Sequence, residues 1–244
     1  MEASPRTSII LPFYGKYELV MARLYEMNLY LKEPCEIVLV NDASPDDSFE
    51  GNLAWWQNLK KHEVKYVKNP ENLGFGGSMN RGAKKATGEF LIFLSNDVQV
   101  SGDFVSPTIE RLTENPKRLV GGRLIDWPAG WNEFGTPKDK IVIPWLEGWF
   151  LAATRVGWEE LGGFDPIYGR FDYEDLCLST MALWLGYELA PLNLPSLRHM
   201  SGQTIMSLNI DRRKITDANK AKYIEKWGNK LPEIYMKAKE IVHG

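Results

Sequence analysis

Short apolar runs alternate with amphipathic stretches along the first hundred residues. "TSIILPFYG" (Thr7 to Gly15) is an apolar run stopped by Pro and Gly, and reads as a buried strand. In "KYELVMARLYEMNLYL" the apolar Val20, Leu24, Met27 and Leu31 recur at helical spacing. "CEIVLVND" (Cys35 to Asp42) is a second buried strand. Ser44 ahead of Pro45, with acids following, is a helix-start signal and predicts a helix to about Lys61. "VKYVKN" alternates as a strand, "GFGGSMNRGAKKAT" reads as a glycine-opened helix closed by Gly88, and "EFLIFLSND" is a fourth strand. Such alternation predicts an α/β fold with a parallel sheet and helices on both faces.

Beyond Val100 the rhythm changes. "DFVSPTIERLTENP" is read as helical despite Pro107, and "RLVGGRLI" as one more strand. Asp126 to Glu147 is irregular and rich in Trp, Pro and Gly. "GWFLAATR" is strand-like, "VGWEELGG" a short helix and "DYEDLCLSTMALWLGY" a longer one. In that longer helix Leu178, Met181, Ala182 and Leu185 form an apolar stripe. "ELAPL" reads as a last strand, and Asp211 to Val242 as one or two helices. No internal repeat, low-complexity segment or long linker interrupts the chain.

Composition narrows the function classes. The 244 residues are 44% hydrophobic and 25% charged, enough for a sizeable core. The formal net charge is −3 with no long basic run, so electrostatics do not indicate a nucleic-acid partner. Cys35 and Cys177 lack metal-type spacing and read as small core residues in a reducing compartment. The N-terminus lacks a signal-peptide signature, and no apolar run approaches the ~20 residues needed to span a bilayer. The expectation is a soluble cytoplasmic protein, with peripheral membrane contact left open.

Chemistry enters at the strand ends. In a parallel α/β sheet ligands sit outside the carboxyl ends of the strands. Asp42 in "VLVND" and Asp97 in "FLSND" would emerge on that same edge. Either alone is better read as a turn cap, since Asp and Asn cap turns readily, and it is the two together that point to a site. Between them in sequence lies "NPENLGFGGSMNRG". Its Gly74, Gly76 and Gly77 let backbone approach a ligand and open a helix N-terminus, which favours anions. It matches neither the dinucleotide fingerprint nor the phosphate-binding loop.

"SIILPFYG", "EIVLVNDASPDDS", "NLGFGGSMNRGAKKATGEFLIFLSND", "LGGFD", "YEDLCL" and "RHMSGQT" follow one another in the order found in family 2 glycosyltransferases. The chain resembles that family over roughly Thr7 to Thr204, and looks most like its rhamnosyltransferase-like members. The resemblance implies the GT-A fold, a Rossmann-like, mainly parallel sheet flanked by helices. It implies an inverting transferase domain over residues 1–210, with a nucleotide-binding half (about 1–100) and an acceptor half (about 101–210). Residues 211–244 would be a C-terminal helical appendage. The reaction implied is sugar transfer from a UDP-, dTDP- or GDP-sugar to a hydroxyl of a saccharide, glycolipid or glycoprotein, with a divalent cation, Mn²⁺ or Mg²⁺.

Roles follow from that resemblance. Asp42, with Pro12, Phe13, Tyr14, Asn72, Gly74, Ser95 and Asn96, would line the nucleotide pocket. A carboxylate acceptor suits the N–H of a pyrimidine, though guanine also offers N–H donors. The family's Asp-x-Asp metal motif reads Ser95-Asn96-Asp97 here. Asp97 is retained as a metal ligand, while serine replaces the first aspartate and contributes no charge. His199 is the second candidate ligand and favours manganese slightly. His62, by contrast, is read as lying in a solvated stretch, and Arg198, Ser201 and Thr204 as possible phosphate contacts. The base is expected among Asp172, Glu174 and Asp175. Glu174 and Asp175 extend the apolar stripe by one turn, whereas Asp172 reads as a helix cap. The resemblance places the base in a Glu-Asp pair, which implies Asp175; aligning "DLCL" with the family's longer motif instead puts Tyr173 at the base position and leaves Glu174 or Asp172 to serve. Trp131, Trp145 and Trp149 are candidate stacking platforms for an acceptor sugar, and Trp127 falls in the same stretch. Two readings compete. A nucleotidyltransferase would carry a basic glycine-rich loop after the first strand, which "LPFYGKYE" does not supply. A catalytically degenerate GT-A domain that binds nucleotide or glycan is kept in play by Ser95.

Overall fold

The structure, a computed structural model, describes residues 6–45, 61–127, 142–200 and 211–243. A seven-stranded sheet forms the middle layer. Four parallel strands come from the first half of the chain: β1 (Thr7–Phe13), β2 (Glu36–Asn41), β3 (Glu63–Lys68) and β4 (Phe90–Leu94). The second half adds β6 (Arg118–Gly121), β9 (Phe150–Thr154) and β10 (Glu188–Pro191), giving the order β10-β6-β9-β4-β1-β2-β3. Only β9 runs against its neighbours in this sheet, pairing antiparallel with both β4 and β6. The sheet is therefore mainly parallel, as the strand–helix alternation predicts.

Strand periodicity divides the core. On β1, Ile9 and Leu11 point to one face and Ile10 to the other, all fully buried. Ile9 and Leu11 share a cluster with Val20, Leu24 and Met27 of α1 (Tyr17–Tyr30) and Leu112 of α3 (Val105–Glu114). Ile10 shares the other cluster with Met79 and Ala83 of α2 (Gly74–Lys85). Helix α2 lies so close to the sheet that a Cβ on Gly82 would sit 2.4 Å from Ile10 Cγ2. Pro107 falls in the first turn of α3, where its missing N–H has no helical acceptor to lose.

The same cluster as Ile10 takes in α4 (Arg155–Leu161), α5 (Glu174–Trp184), α6 (Arg212–Trp227) and α7 (Leu231–His243) through Trp158, Leu178, Trp227 and Leu231. Trp227 donates its Nε1 hydrogen to Cys177 Sγ at 3.3 Å. Both cysteines are buried free thiols. Among the described residues, no helix is long and apolar enough to cross a membrane.

Several local expectations are corrected. "RLVGGRLI" is not one strand. It breaks after Gly121, and its second half becomes β7 (Leu124–Trp127), paired with β8 (Ile143–Leu146) in a separate ribbon. Asp126 and Trp127, and residues 143–146, are thus ordered strand, not irregular chain. Helix α2 stops at Lys85, and Gly88 packs where a Cβ would lie 2.7 Å from Ser8 N. On α5, Leu185 is 40% exposed at the C-cap, and the buried face instead includes Leu176, Cys177, Ser179 and Thr180. His62 is buried, its Nδ1 accepting the Cys35 N–H at 3.1 Å, because the chain turns inward just before β3. Burial chiefly pushes its imidazole pKa down to about 4. After β10 comes a further strand, β11 (Leu197–His199). The helix expected after Pro45, and Trp131, Ser201 and Thr204, lie outside the described residues.

Candidate active site

β1, β2 and β4 end together, and a cleft of about 850 Å³ opens beyond their carboxyl ends. Pro12, Phe13 and Tyr14 leave β1 into this cleft, Asp42 follows β2, and Ser95, Asn96 and Asp97 follow β4. Asn72 and Gly74 reach it from the loop before α2.

Asp42 is 5% exposed and accepts three hydrogen bonds. Its Oδ1 accepts the Leu73 N–H at 2.7 Å and Asn69 Nδ2 at 2.8 Å, and its Oδ2 accepts the Gly74 N–H at 2.9 Å. The Leu73 and Gly74 amides sit at the start of α2, so Asp42 caps that helix from the sheet, whereas the turn after β2 is capped by Asn41, whose Oδ1 accepts the Ser44 N–H at 2.8 Å. Gly74 is needed there. Its φ is +75°, and a Cβ would fall 2.4 Å from Arg170 Cα.

A two-stranded ladder places the next pair. β5 (Val98–Val100) runs antiparallel to β11, with His199 opposite Val98, and Met200 N–H donates to Asp97 O at 2.9 Å. This register carries His199, distant in sequence, to within 3.4 Å (Nε2 to Oδ1) of Asp97. Ser95 Oγ donates to the same Oδ1 at 2.6 Å. Burial pushes the Asp97 carboxyl up, but hydrogen bonds from His199 and Ser95 more than offset it, leaving it below the usual range. Trp149 stacks on the His199 ring, centroids 5.4 Å apart and planes 16° apart, and donates Nε1 to Glu147 at 3.1 Å. Trp149 thus stands beside Asp97 and His199, and Gly122 makes room for it, since a Cβ there would meet its ring at 2.2 Å. A carboxylate oxygen and an imidazole nitrogen converging on one point suit a divalent cation that accepts oxygen and nitrogen ligands. Among the described residues they form a pair and not a group of three or more protein ligands.

Carboxylates line another wall. Asp175 Oδ2 accepts the Gly148 N–H at 2.9 Å, and its Oδ1 accepts the Leu176 N–H at 2.9 Å. Burial pushes the Asp175 carboxyl up to about 7, against the pull of those amides. Burial and the adjacent Asp175 charge push Glu174 well above the usual range. Glu174 Oε2 is shut off from solvent with no hydrogen-bond partner among the described residues. Asp172 does not cap α5. The N-cap is Tyr173, and Asp172 turns instead to α6, pairing bidentately with Arg212 (2.6 and 3.1 Å) and accepting Thr216 Oγ1 at 2.5 Å. Burial pushes its carboxyl up, but Arg212 and Thr216 hold it below the usual range. Trp127 and Trp145, from the β7–β8 ribbon, complete this side, with Tyr173 edge-on to Trp127 at 6.1 Å.

The nucleotide, metal and base candidates converge on this cleft together with Trp145 and Trp149, whereas Gly76, Gly77 and Arg198 do not line it and Trp131, Ser201 and Thr204 lie outside the described residues. Arg170, Arg212 and Thr216 also line it and were not anticipated. Arg212 and Thr216 fall four apart on a polar helix, and nothing in their spacing points to an acid forty residues earlier.

The model of the family described as "Glycosyl transferase family 2" matches residues 8–169. N-acetylgalactosaminyltransferase 6 of Drosophila melanogaster is 27% identical over 203 residues, covering 70% of this chain and 30% of that protein. The chain thus spans about a third of the length of the curated relatives it first matches. A GalNAc-T7 structure with UDP, GalNAc and Mn²⁺ superposes with a TM-score of 0.69 at 18% identity, over 95% of this chain and 50% of that one. The mannosyltransferase PcManGT from Pyrobaculum calidifontis, in complex with GDP-Man and Mn²⁺, gives 0.63 at 17% identity over 99% and 75%. These structural likenesses place the chain in the GT-A fold.

Proposed function

The chain belongs to glycosyl transferase family 2, and from that premise we propose that it is an inverting glycosyltransferase using a nucleotide-diphosphate sugar. The observation that carries the reading is one cleft with Asp97 and His199 on one wall and Glu174 and Asp175 on another. Residues about 1–100 supply the nucleotide half, about 101–210 the acceptor half, and 211–244 the helices appended to it. The donor is a UDP-, dTDP- or GDP-sugar. Relatives named for N-acetylgalactosamine and a neighbour solved with GDP-Man favour a hexosamine or hexose over a deoxyhexose.

Asp97 and His199 would hold a divalent cation, with Mn²⁺ favoured by the imidazole, and the bound cation would offset charge developing on the leaving diphosphate. Pro12 to Tyr14, Asn72, Gly74 and Asn96 enclose the nucleotide. Asp42 shapes that pocket as the cap of α2 and can meet a base N–H only by sharing oxygens already accepting amides. Trp127 and Trp145 offer indole faces to an acceptor sugar. Trp149 stacks on His199 and orients it.

Asp175 is the base. It takes the proton of the acceptor hydroxyl, that oxygen forms the new bond to the anomeric carbon, and the carbon–phosphate oxygen bond breaks with its electron pair leaving on the diphosphate. A base near neutrality suits this task. Asp172, held by Arg212, is already committed. A saccharide or glycoconjugate hydroxyl is the acceptor. The two buried free thiols support a reducing, cytoplasmic setting.

One observation favours a second reading. Ser95 removes a carboxylate from the metal corner, which suits a GT-A domain that binds nucleotide or glycan without turnover. Incubating UDP-GalNAc, UDP-GlcNAc, GDP-Man and dTDP-sugars with Mn²⁺ and a saccharide panel separates the two. Release of nucleotide with a product of inverted anomeric configuration by NMR supports the transferase. A retained configuration overturns single displacement, and no release from any donor supports the binding domain.

A further inference from the structure

We infer that Asn219 on α6 is a positioning residue for the acids of α5, and that the C-terminal helices are therefore a working part of the cleft. The inference rests on the proposed role of Asp175.

The acids follow an unusual turn. Asp172 (φ +62°) and Tyr173 (φ +78°) are consecutive non-glycine residues in the left-handed region, which side chains rarely adopt. Such a turn persists only where surrounding contacts over-determine it. Here the contacts come from α6. Asn219 is 1% exposed, and its Nδ2 is within hydrogen-bonding distance of three backbone carbonyls, Tyr168 (2.8 Å), Phe171 (2.6 Å) and Asp172 (3.1 Å). Its own Oδ1 accepts Lys222 Nζ at 3.0 Å, which also donates to Ile167 O at 2.8 Å. One turn earlier, Thr216 and Arg212 hold the Asp172 side chain.

Arg212, Thr216, Asn219 and Tyr223 fall on one face of α6. Tyr223 OH meets Thr180 Oγ1 at 2.8 Å, so the same face grips α5 two turns on. Backbone and helix are thus fixed on both sides of Glu174 and Asp175. Glu174 has a buried oxygen with no partner of its own among the described residues. The turn that precedes it sets where that carboxyl enters the cleft.

The test is Asn219→Leu, of similar size but without the donor and without a new charge. Small misplacement of reacting groups costs on the order of 10²-fold, so kcat should fall about that much, while the Kd for UDP or GDP with Mn²⁺ stays within about twofold. The acid limb of kcat should move to lower pH as the loosened turn admits water to the acids. A kcat within about twofold of wild type overturns the inference. So does a parallel loss of kcat and nucleotide affinity with an unmoved acid limb, since general loss of structure does that. If Asn219→Leu does not fold, Thr216→Val loosens the same turn from a more exposed position with no change of charge, and must lower kcat several-fold with the same shift or the inference fails. Asp175→Asn separates the two claims. If that variant turns over normally, the base assignment fails. If it is inactive while the α6 variants are normal, only the role of Asn219 fails.

Discussion

Replacing Asp175 by Asn should make the protein less active and, at alkaline pH, more stable. The carboxyl is raised to about 7, chiefly by burial, against about 3.9 in an unfolded chain, so the native state binds this proton more tightly by roughly 3 units, or about 4 kcal/mol. The contribution is fully present below about pH 4 and is lost as pH rises to about 7, above which native Asp175 is an unfavourably buried charge. Asparagine carries no such charge. It keeps one oxygen, so it can satisfy only one of the Gly148 and Leu176 amides, a loss of about 1 kcal/mol. The variant should therefore be about 1 kcal/mol less stable than wild type near pH 4 and about 3 kcal/mol more stable near pH 8.5. For a chain of this size the alkaline gain is about 6–12 °C in Tm. Paired thermal scans of the two proteins across that range report it. Turnover should meanwhile drop about 10²–10⁴-fold. A Tm difference that does not change with pH, or that is negative throughout, refutes the picture of a buried, proton-holding Asp175.

Gly122→Ala puts a Cβ at 2.2 Å from the Trp149 ring, so the indole must leave His199. Stability should fall by about 1–3 kcal/mol, and the thermal response to Mn²⁺ should weaken, whereas an unchanged response would show that the stack does not orient His199. Glu36 is fully buried and accepts from Ser8, Lys65 and both the N–H and hydroxyl of Thr87. Burial pushes its carboxyl up, but these donors more than offset it and the net shift is downward. Its stabilisation is therefore present above the unfolded value of about 4.3 and lost as pH falls. Glu36→Gln should cost about 1–3 kcal/mol at neutral pH by urea unfolding, with a deficit that shrinks below about pH 4. A deficit independent of pH would contradict the charged network. Asp42→Ala strips the Leu73 and Gly74 N–H groups of their acceptor, while Asn69 keeps Ser78, and should cost about 2–3 kcal/mol. A loss below about 0.5 kcal/mol in urea would mean the α2 cap is dispensable.

The strands and the site edge were legible because both rest on local rules. Runs such as "FLIFL" are buried on both faces of a parallel sheet, so they read as unbroken apolar segments, and Asp42 and Asp97 emerge where such strands must end. His199 was legible only through its place in a motif. The β5–β11 register that brings it to Asp97 leaves no periodic signal over three residues. Asn219, Arg212 and Thr216 were hidden because their partners are backbone carbonyls and an acid on a remote loop. Helix periodicity also failed on α5, where the buried face includes Ser179 and Thr180 and the cap leaves Leu185 in solvent. Tertiary contacts there satisfy hydroxyls inside the core, as Tyr223 does for Thr180. His62 looked solvated because its neighbours are charged, while its ring turns inward to the Cys35 amide.

On this reading the cleft binds a nucleotide diphosphate through a cation held by Asp97 and His199. Thermal unfolding with UDP, dTDP, GDP and CDP, each with and without Mn²⁺, tests it most directly. A ligand at about 100 times its Kd adds about 2.7 kcal/mol, or about 5–11 °C for this chain. That rise is expected for at least one nucleotide, in the presence of Mn²⁺ only, and should be lost in Asp97→Asn. Stabilisation that is indifferent to both Mn²⁺ and Asp97, or none by any nucleotide, would contradict it.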